Sequence, residues 1–109
     1  MAQERVYQTA FNKADANLLI SEFSDPIDLH LVDKKGLYSK QQALLILTEF
    51  FKTNIGLVYT RKHEGGSKSK SRFEIGELKN KEHQYRTYIL YREQANSLQI
   101  IELRIELVK

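Results

Sequence analysis

The stretch Ser39–Thr53, SKQQALLILTEFFKT, decides the fold. Ser39 and Gln42 stand three apart, the spacing of a capping box in which each side chain satisfies an otherwise free backbone amide. Beyond this cap Ala43, Leu44, Leu47, Phe50 and Phe51 recur on one helical face, and Leu45 and Ile46 widen it. Asn54 and Gly56 mark the end of the helix. An apolar surface this broad needs cover on more than one side, which a curled sheet supplies.

The chain that follows reads as that sheet. Four extended segments, Leu57–Glu64, Ser71–Lys79, Gln84–Arg92 and Leu98–Val108, are separated by turn-forming runs at Gly65-Gly66-Ser67, Asn80–His83 and Gln94–Ser97. In two of them the apolar phase slips. Phe73 and Ile75 share a face while Leu78 takes the other, with Gly76 between; Leu98 and Ile100 share a face while Ile101, Leu103, Ile105 and Leu107 take the other. Each slip marks a bulge or burial on both faces, and bulges bend sheets.

Upstream, Val6, Tyr7, Ala10, Phe11 and Ala14 give a short amphipathic helix from about Glu4 to Asn12. Asp15 is placed to cap a second short helix carrying Leu18, Leu19 and Phe23, which Asp25-Pro26 ends. Ile27, Leu29 and Leu31 then alternate as a half-buried strand, followed by a turn at Asp33–Gly36 and a brief extended piece at Leu37-Tyr38. The expectation is an α+β domain over residues 1–109, with N-terminal helices packed in a bent antiparallel sheet.

Composition narrows the function classes. The chain has 109 residues, 41% of them hydrophobic, and no cysteine, which excludes a disulfide scaffold, a thiolate metal site and a cysteine nucleophile. Its longest apolar run, Ala43–Leu47, is too short for a membrane-spanning helix. Net charge is +3, and it sits in one hairpin: Arg61, Lys62, Lys68, Lys70 and Arg72 against Glu64 alone give +4, leaving −1 for the rest of the chain. A basic hairpin without a recognition helix or stacking aromatics beside it reads as a solvated turn, and no nucleic-acid partner is expected. The rival reading, an anionic-surface binder, requires affinity that falls steeply with salt.

The order of elements resembles the nuclear transport factor 2-like superfamily, in which a bent sheet wraps helices into a cone. Particular residues sharpen the resemblance: Tyr38-Ser39-Lys40 with Gln42-Ala43, Leu47 and Phe50-Phe51; His63 with Gly65 and Ser67; Ile75-Gly76 with Leu78; Tyr85-Arg86 with Tyr88 and Leu90; and Leu103-Arg104-Ile105-Glu106. Together they are similar to the bacterial domain-of-unknown-function family 4783. The resemblance implies a secretory leader, with this chain starting where such a leader ends, and therefore extracytoplasmic residence; a cytoplasmic protein is the alternative. It carries over no catalytic residue. It also implies pairing through the sheet, as superfamily members often dimerise that way.

Tested residue by residue, the chain offers little chemistry. Asp28 and His30 form the only close Asp–His pair, but they lie opposite Ile27, Leu29 and Leu31 and read as solvated. His30, His63 and His83 are scattered without ligand spacing, so no metal is expected, and nothing calls for a cofactor. The glycines form no phosphate loop. His63 shares a strand face with Leu57, Tyr59 and Arg61 by simple alternation, a mixed lining suited to a small anion. Tyr38, Phe51, Tyr59, His63, Tyr85 and Ile89 are the candidate pocket residues, for a small molecule or peptide. Arg86, Tyr88 and Arg92 on one strand and Glu102, Arg104 and Glu106 on the next are the candidate homodimer surface, since tyrosine and arginine favour interfaces and alternating charges can pair across a two-fold axis. The leading reading is a non-catalytic binding or accessory interaction domain. The rival is a small isomerase or hydratase using His63 or Asp28 as base. Phe50, Phe51 and Tyr59 are long enough to fill the cone and close any pocket.

Overall fold

A computed structural model describes residues 5–66, 71–94 and 97–108. Helix α1 spans Val6–Lys13, and the Gln8 side chain accepts from the Arg5 amide at 2.9 Å to fix its start. Ala14 ends it in a left-handed conformation. Asp15 caps α2 (Ala16–Ile20) by accepting from the Leu18 amide at 3.0 Å, as its position in the sequence implies. Helix α3 spans Lys40–Thr53 behind the expected Ser39–Gln42 capping box.

Six strands follow the chain as β1 (Phe23–Leu31), β2 (Lys34–Tyr38), β3 (Val58–Gly66), β4 (Ser71–Lys79), β5 (Gln84–Gln94) and β6 (Ser97–Leu107). They form one sheet in the order β2-β1-β6-β5-β4-β3. The last four strands are the expected meander. Every pairing is antiparallel except β1 with β6, which is parallel; α3 and the meander between them give the long connection a parallel pair needs. The turn regions at Ser67–Lys70 and Ala95-Asn96, and Glu4 at the head of the first expected helix, lie outside the described residues.

The helices lie on the inner face of the sheet, and one core joins them. Tyr7, Ala10 and Phe11 from α1, Leu19 from α2 and Ala43, Leu47, Phe50 and Phe51 from α3 meet Leu29, Tyr59, Leu78, Ile89, Tyr91 and Leu103 from the strands. Leu45, expected to broaden the buried face of α3, is 72% exposed.

Several boundaries move, each for a physical reason. Phe23 belongs to β1 rather than α2, so Pro26 falls inside a strand and does not separate helix from strand. It sits where β1 shifts register against β6, between Phe23↔Ile100 and Asp28↔Glu102, a place that needs no ladder hydrogen from its nitrogen. The β1–β2 turn is Val32-Asp33, with Val32 at φ 56°, and Gly36 lies in β2 opposite Leu29. The slip in β6 is a bulge: Leu90 opposes Glu102 and Tyr91 opposes Ile100, leaving Ile101 unpaired. β4 holds unbroken register with β5. Its inward face is Glu74, Gly76 and Leu78, while Phe73 and Ile75 are half-buried on the outer face.

Candidate functional site

The inward face of β4 places a carboxylate inside the core. Glu74 has no exposed surface and receives four side-chain donors: Tyr7 Oη at 2.5 Å, Tyr59 Oη at 2.6 Å, Arg61 Nε at 3.0 Å and Gln8 Nε2 at 3.1 Å. Tyr7 and Gln8 come from α1, Tyr59 and Arg61 from β3, so the carboxylate ties the first helix to the sheet. Burial, reinforced by the hydrogen bonds to Glu74, pushes both tyrosine hydroxyls far above the ordinary tyrosine range. For Arg61, burial works against the charge, but Glu74 and Glu64 more than offset it and the guanidinium titrates higher than usual.

Gly76 makes this arrangement possible. A Cβ there would stand 2.4 Å from Tyr59 Oη and 2.5 Å from its Cζ, so the tyrosine ring lies in space that only glycine leaves free. The ring also stacks on Phe11, with centroids 5.2 Å apart, and Phe11 meets Phe51 edge-on at 6.4 Å. The interior around Tyr59 is therefore filled with aromatic side chains.

Among the described residues, the six candidate pocket residues do not converge on one cavity. Tyr59 and Ile89 are core residues. Phe51 borders a groove of about 410 Å3 between the α1–α2 junction and α3, lined by Lys13, Asp15, Thr48 and Lys52 among others. Tyr85 borders a second groove of about 250 Å3, between the β1–β2 turn and α3. Tyr38 is half-buried against the core. His63 lies elsewhere altogether. β3 shifts register between Arg61, opposite Gly76, and His63, opposite Ile75, so the extra residue Lys62 turns His63 onto the outer face, exposed beside Phe73. The shared face expected for His63 and Tyr59 is thus broken by a bulge. Asp28 is exposed on the outer face as expected, so neither base named for an enzyme faces the interior.

Sequence reading missed Glu74, Gly76, Tyr7 and Gln8. Following hydrophobicity in β4 selects Phe73 and Ile75 and turns Glu74 outward. The available signal was the number of tyrosines on inward positions, since a buried tyrosine hydroxyl requires a polar partner.

The outer face carries the six candidate dimer residues. Across β5 and β6, Arg86 opposes Glu106 and Tyr88 opposes Arg104. Arg104 stacks over the Tyr88 ring at 5.4 Å and ion-pairs with Glu102 on its own strand. Phe73 stacks on Tyr88 at 5.9 Å. Arg92 is exposed opposite Gln99. Of the basic hairpin, Arg61 turns inward to Glu74 and Arg72 lies 3.5 Å from Glu93, while Lys68 and Lys70 lie outside the described residues.

Residues 5–106 match the family described as Domain of unknown function (DUF4783). The chain belongs to the DUF4783 family. Among solved structures, a DUF4783 family protein from Bacteroides ovatus is similar at TM-score 0.84 and 22% identity, over 98% of this chain and 96% of that one. A ketosteroid isomerase-like protein from Erwinia carotovora atroseptica is similar at TM-score 0.77 and 20% identity, over 95% of this chain and 89% of that one. An NTF-2 like protein of unknown function from Silicibacter pomeroyi follows at TM-score 0.69 and 10% identity, over 94% and 87%. These likenesses establish the nuclear transport factor 2-like α+β fold and carry no activity with them. No curated protein matches the chain in sequence. Among the described residues no group of acids and histidines is arranged to hold a metal, and no helix is long and apolar enough to cross a membrane.

Proposed function

We propose that this DUF4783 protein is a non-catalytic binding domain that takes a small molecule or peptide at the rim of its cone and pairs with a second copy through the outer sheet face. One observation carries the reading: Glu74, the carboxylate placed where an interior base would act, is fully buried and already receives four donors. A general base must reach the proton it removes, and this one has neither a free approach nor an uncommitted oxygen. Binding is therefore assigned to the surface. The groove beside Tyr85 is the preferred site because it joins apolar and aromatic walls to a few polar groups, the usual makeup of ligand sites.

The pairing is supported by the half-buried apolar strip Phe73, Ile75, Tyr88 and Leu90 on an otherwise charged face. A native mass spectrum of protein purified without a ligand wash is expected to give a dimer; a monomer at all concentrations removes that part of the reading. Extracytoplasmic residence is proposed on the family resemblance, and fractionation of the source cells tests it.

The binding site itself is tested by a fragment screen read as amide chemical-shift changes. Shifts clustering on Phe50, Asn54 and Tyr85 are expected. Shifts centred on Tyr7, Tyr59 and Glu74 would show an accessible interior and turn the reading toward an isomerase-like enzyme with Glu74 as its base.

A further inference from the structure

Resting on the reading of the Tyr85 groove as the binding site, we infer that its ligand is an organic ammonium: a positively charged amine head on an apolar or aromatic body. The groove of about 250 Å3 is small, which sets the size of the guest. Its floor is an aromatic corner, with the Phe50 and Tyr85 rings edge to face at 69° and 5.1 Å between centroids. That corner is held in place from behind. Tyr85 Oη donates to Asn54 Oδ1 at 2.6 Å, and Asn54 Nδ2 donates to the Phe50 backbone carbonyl at 2.9 Å, so the Tyr85 ring is tied to the end of α3. Aromatic faces attract cations as well as apolar groups.

The rim supplies the matching charge. Asp33 from the β1–β2 turn and Glu49 from α3 both line the groove, and among the described residues neither has a basic nitrogen within 4 Å. Lys34 lines it too and leaves the rim with a net charge of −1, which fits one cationic head better than two.

An independent feature points to the same place. Val32, on the rim, has φ 56°, a left-handed conformation that a β-branched residue rarely takes and that glycine would adopt freely. Its amide donates to the Ile105 carbonyl at 2.8 Å, which pins the turn in that state. Strained backbone of this kind concentrates at ligand sites. Here it holds an isopropyl group at the groove mouth where a turn built for stability alone would carry glycine.

The test is a titration of the intact protein with benzylammonium, benzyl alcohol and benzoate, followed by amide shifts at Phe50, Asn54 and Tyr85. Benzylammonium is expected to bind with a Kd on the order of 1 mM, a reasonable value for so small a ligand. Benzyl alcohol should bind about threefold to fivefold more weakly, the worth of an exposed charge pair, and benzoate more weakly still. Asp33→Asn and Glu49→Gln, both at exposed positions, should each weaken benzylammonium by a similar factor and leave benzyl alcohol unchanged. Val32→Gly should raise the unfolding temperature by about 4 °C while weakening benzylammonium; unchanged binding in that variant would overturn the role given to Val32. Benzoate or benzyl alcohol binding as tightly as benzylammonium in the groove overturns the ammonium assignment and leaves the rim reading standing. Groove amides that respond to none of the three overturn both. If a lysine-bearing tetrapeptide competes with benzylammonium, the head is a peptide side chain; if only the free amine binds, it is a small amine. Either result upholds the ammonium class.

Discussion

Glu74 and Gly76 work as a pair two positions apart on one strand face: the first supplies the acceptor that Tyr59 needs, and the second supplies the room its ring needs. Removing the acceptor leaves Tyr7 and Tyr59 hydroxyls, the Gln8 amide and the Arg61 guanidinium facing a void. Unmade buried hydrogen bonds cost about 1–3 kcal/mol apiece, and losing one partner of a buried ion pair costs roughly 3–5 kcal/mol. Because Arg61 keeps a 23% exposed side chain and can rehydrate, Glu74→Ala is expected to lose about 3 kcal/mol in urea unfolding; a loss below ~1 kcal/mol would mean that the carboxylate is not structural. Gly76→Ala introduces a Cβ at 2.4 Å from Tyr59 Oη. Overpacking of this kind costs about 1–3 kcal/mol, and the displaced ring should expose Tyr59 to solvent, visible as a rise in tyrosine accessibility by ultraviolet perturbation.

At the scale of elements, caps and bulges decide more than propensity does. The Ser39 hydroxyl accepts from the Gln42 amide at 3.2 Å while Gln42 Oε1 accepts from the Ser39 amide at 2.9 Å. Ser39→Ala should therefore lower stability by about 1 kcal/mol without moving the β5–β6 amide shifts, since the cap is local to α3. In β3 the extra residue Lys62 separates Arg61, facing Glu74, from His63, facing outward. Deleting Lys62 removes the bulge but leaves Arg61 opposite Gly76 and His63 opposite Ile75, so every later side chain keeps its face and only the local bend is lost. The expected result is hydrogen-exchange protection retained through β3, with amide-shift changes confined to β3 and β4; loss of protection along β3 would mean that the bulge itself is needed to hold the edge strand.

For the whole molecule, tyrosine burial sets an alkaline limit. Tyr7 and Tyr59 keep their protons in the folded chain far beyond the ordinary value near 10, whereas the unfolded chain releases them there. Below pH 10 both states hold the protons and stability is level. Above it the unfolded state binds fewer, so stability falls with pH, by up to ~1.4 kcal/mol per pH unit for each tyrosine. Cooperative unfolding should set in above pH 10, and Tyr59→Phe should shallow the slope. Titration of all six tyrosines in an intact fold, followed at 295 nm, would contradict the closed interior.

Sequence alone determined the parts that are local or periodic. The Ser39–Gln42 box, the Asp15 cap, the meander and the slip at Ile101 all rest on spacings within a few residues, and the inward set Tyr85, Thr87, Ile89 and Tyr91 follows from alternation along one strand. What only the tertiary structure decided depends on partners distant in the chain. Glu74 turns inward because tyrosines 67 residues before it on α1 and 15 before it on β3 meet there, a convergence that no pattern within β4 contains. His63 turns outward because β3 must match an unbroken β4 across a bulge. The Tyr85 groove exists because a strained turn and the end of α3 come together across the sheet edge. Local hydrogen bonds and hydrophobic period are written along the chain, whereas the choice of which polar group may be buried is made only where all its partners assemble.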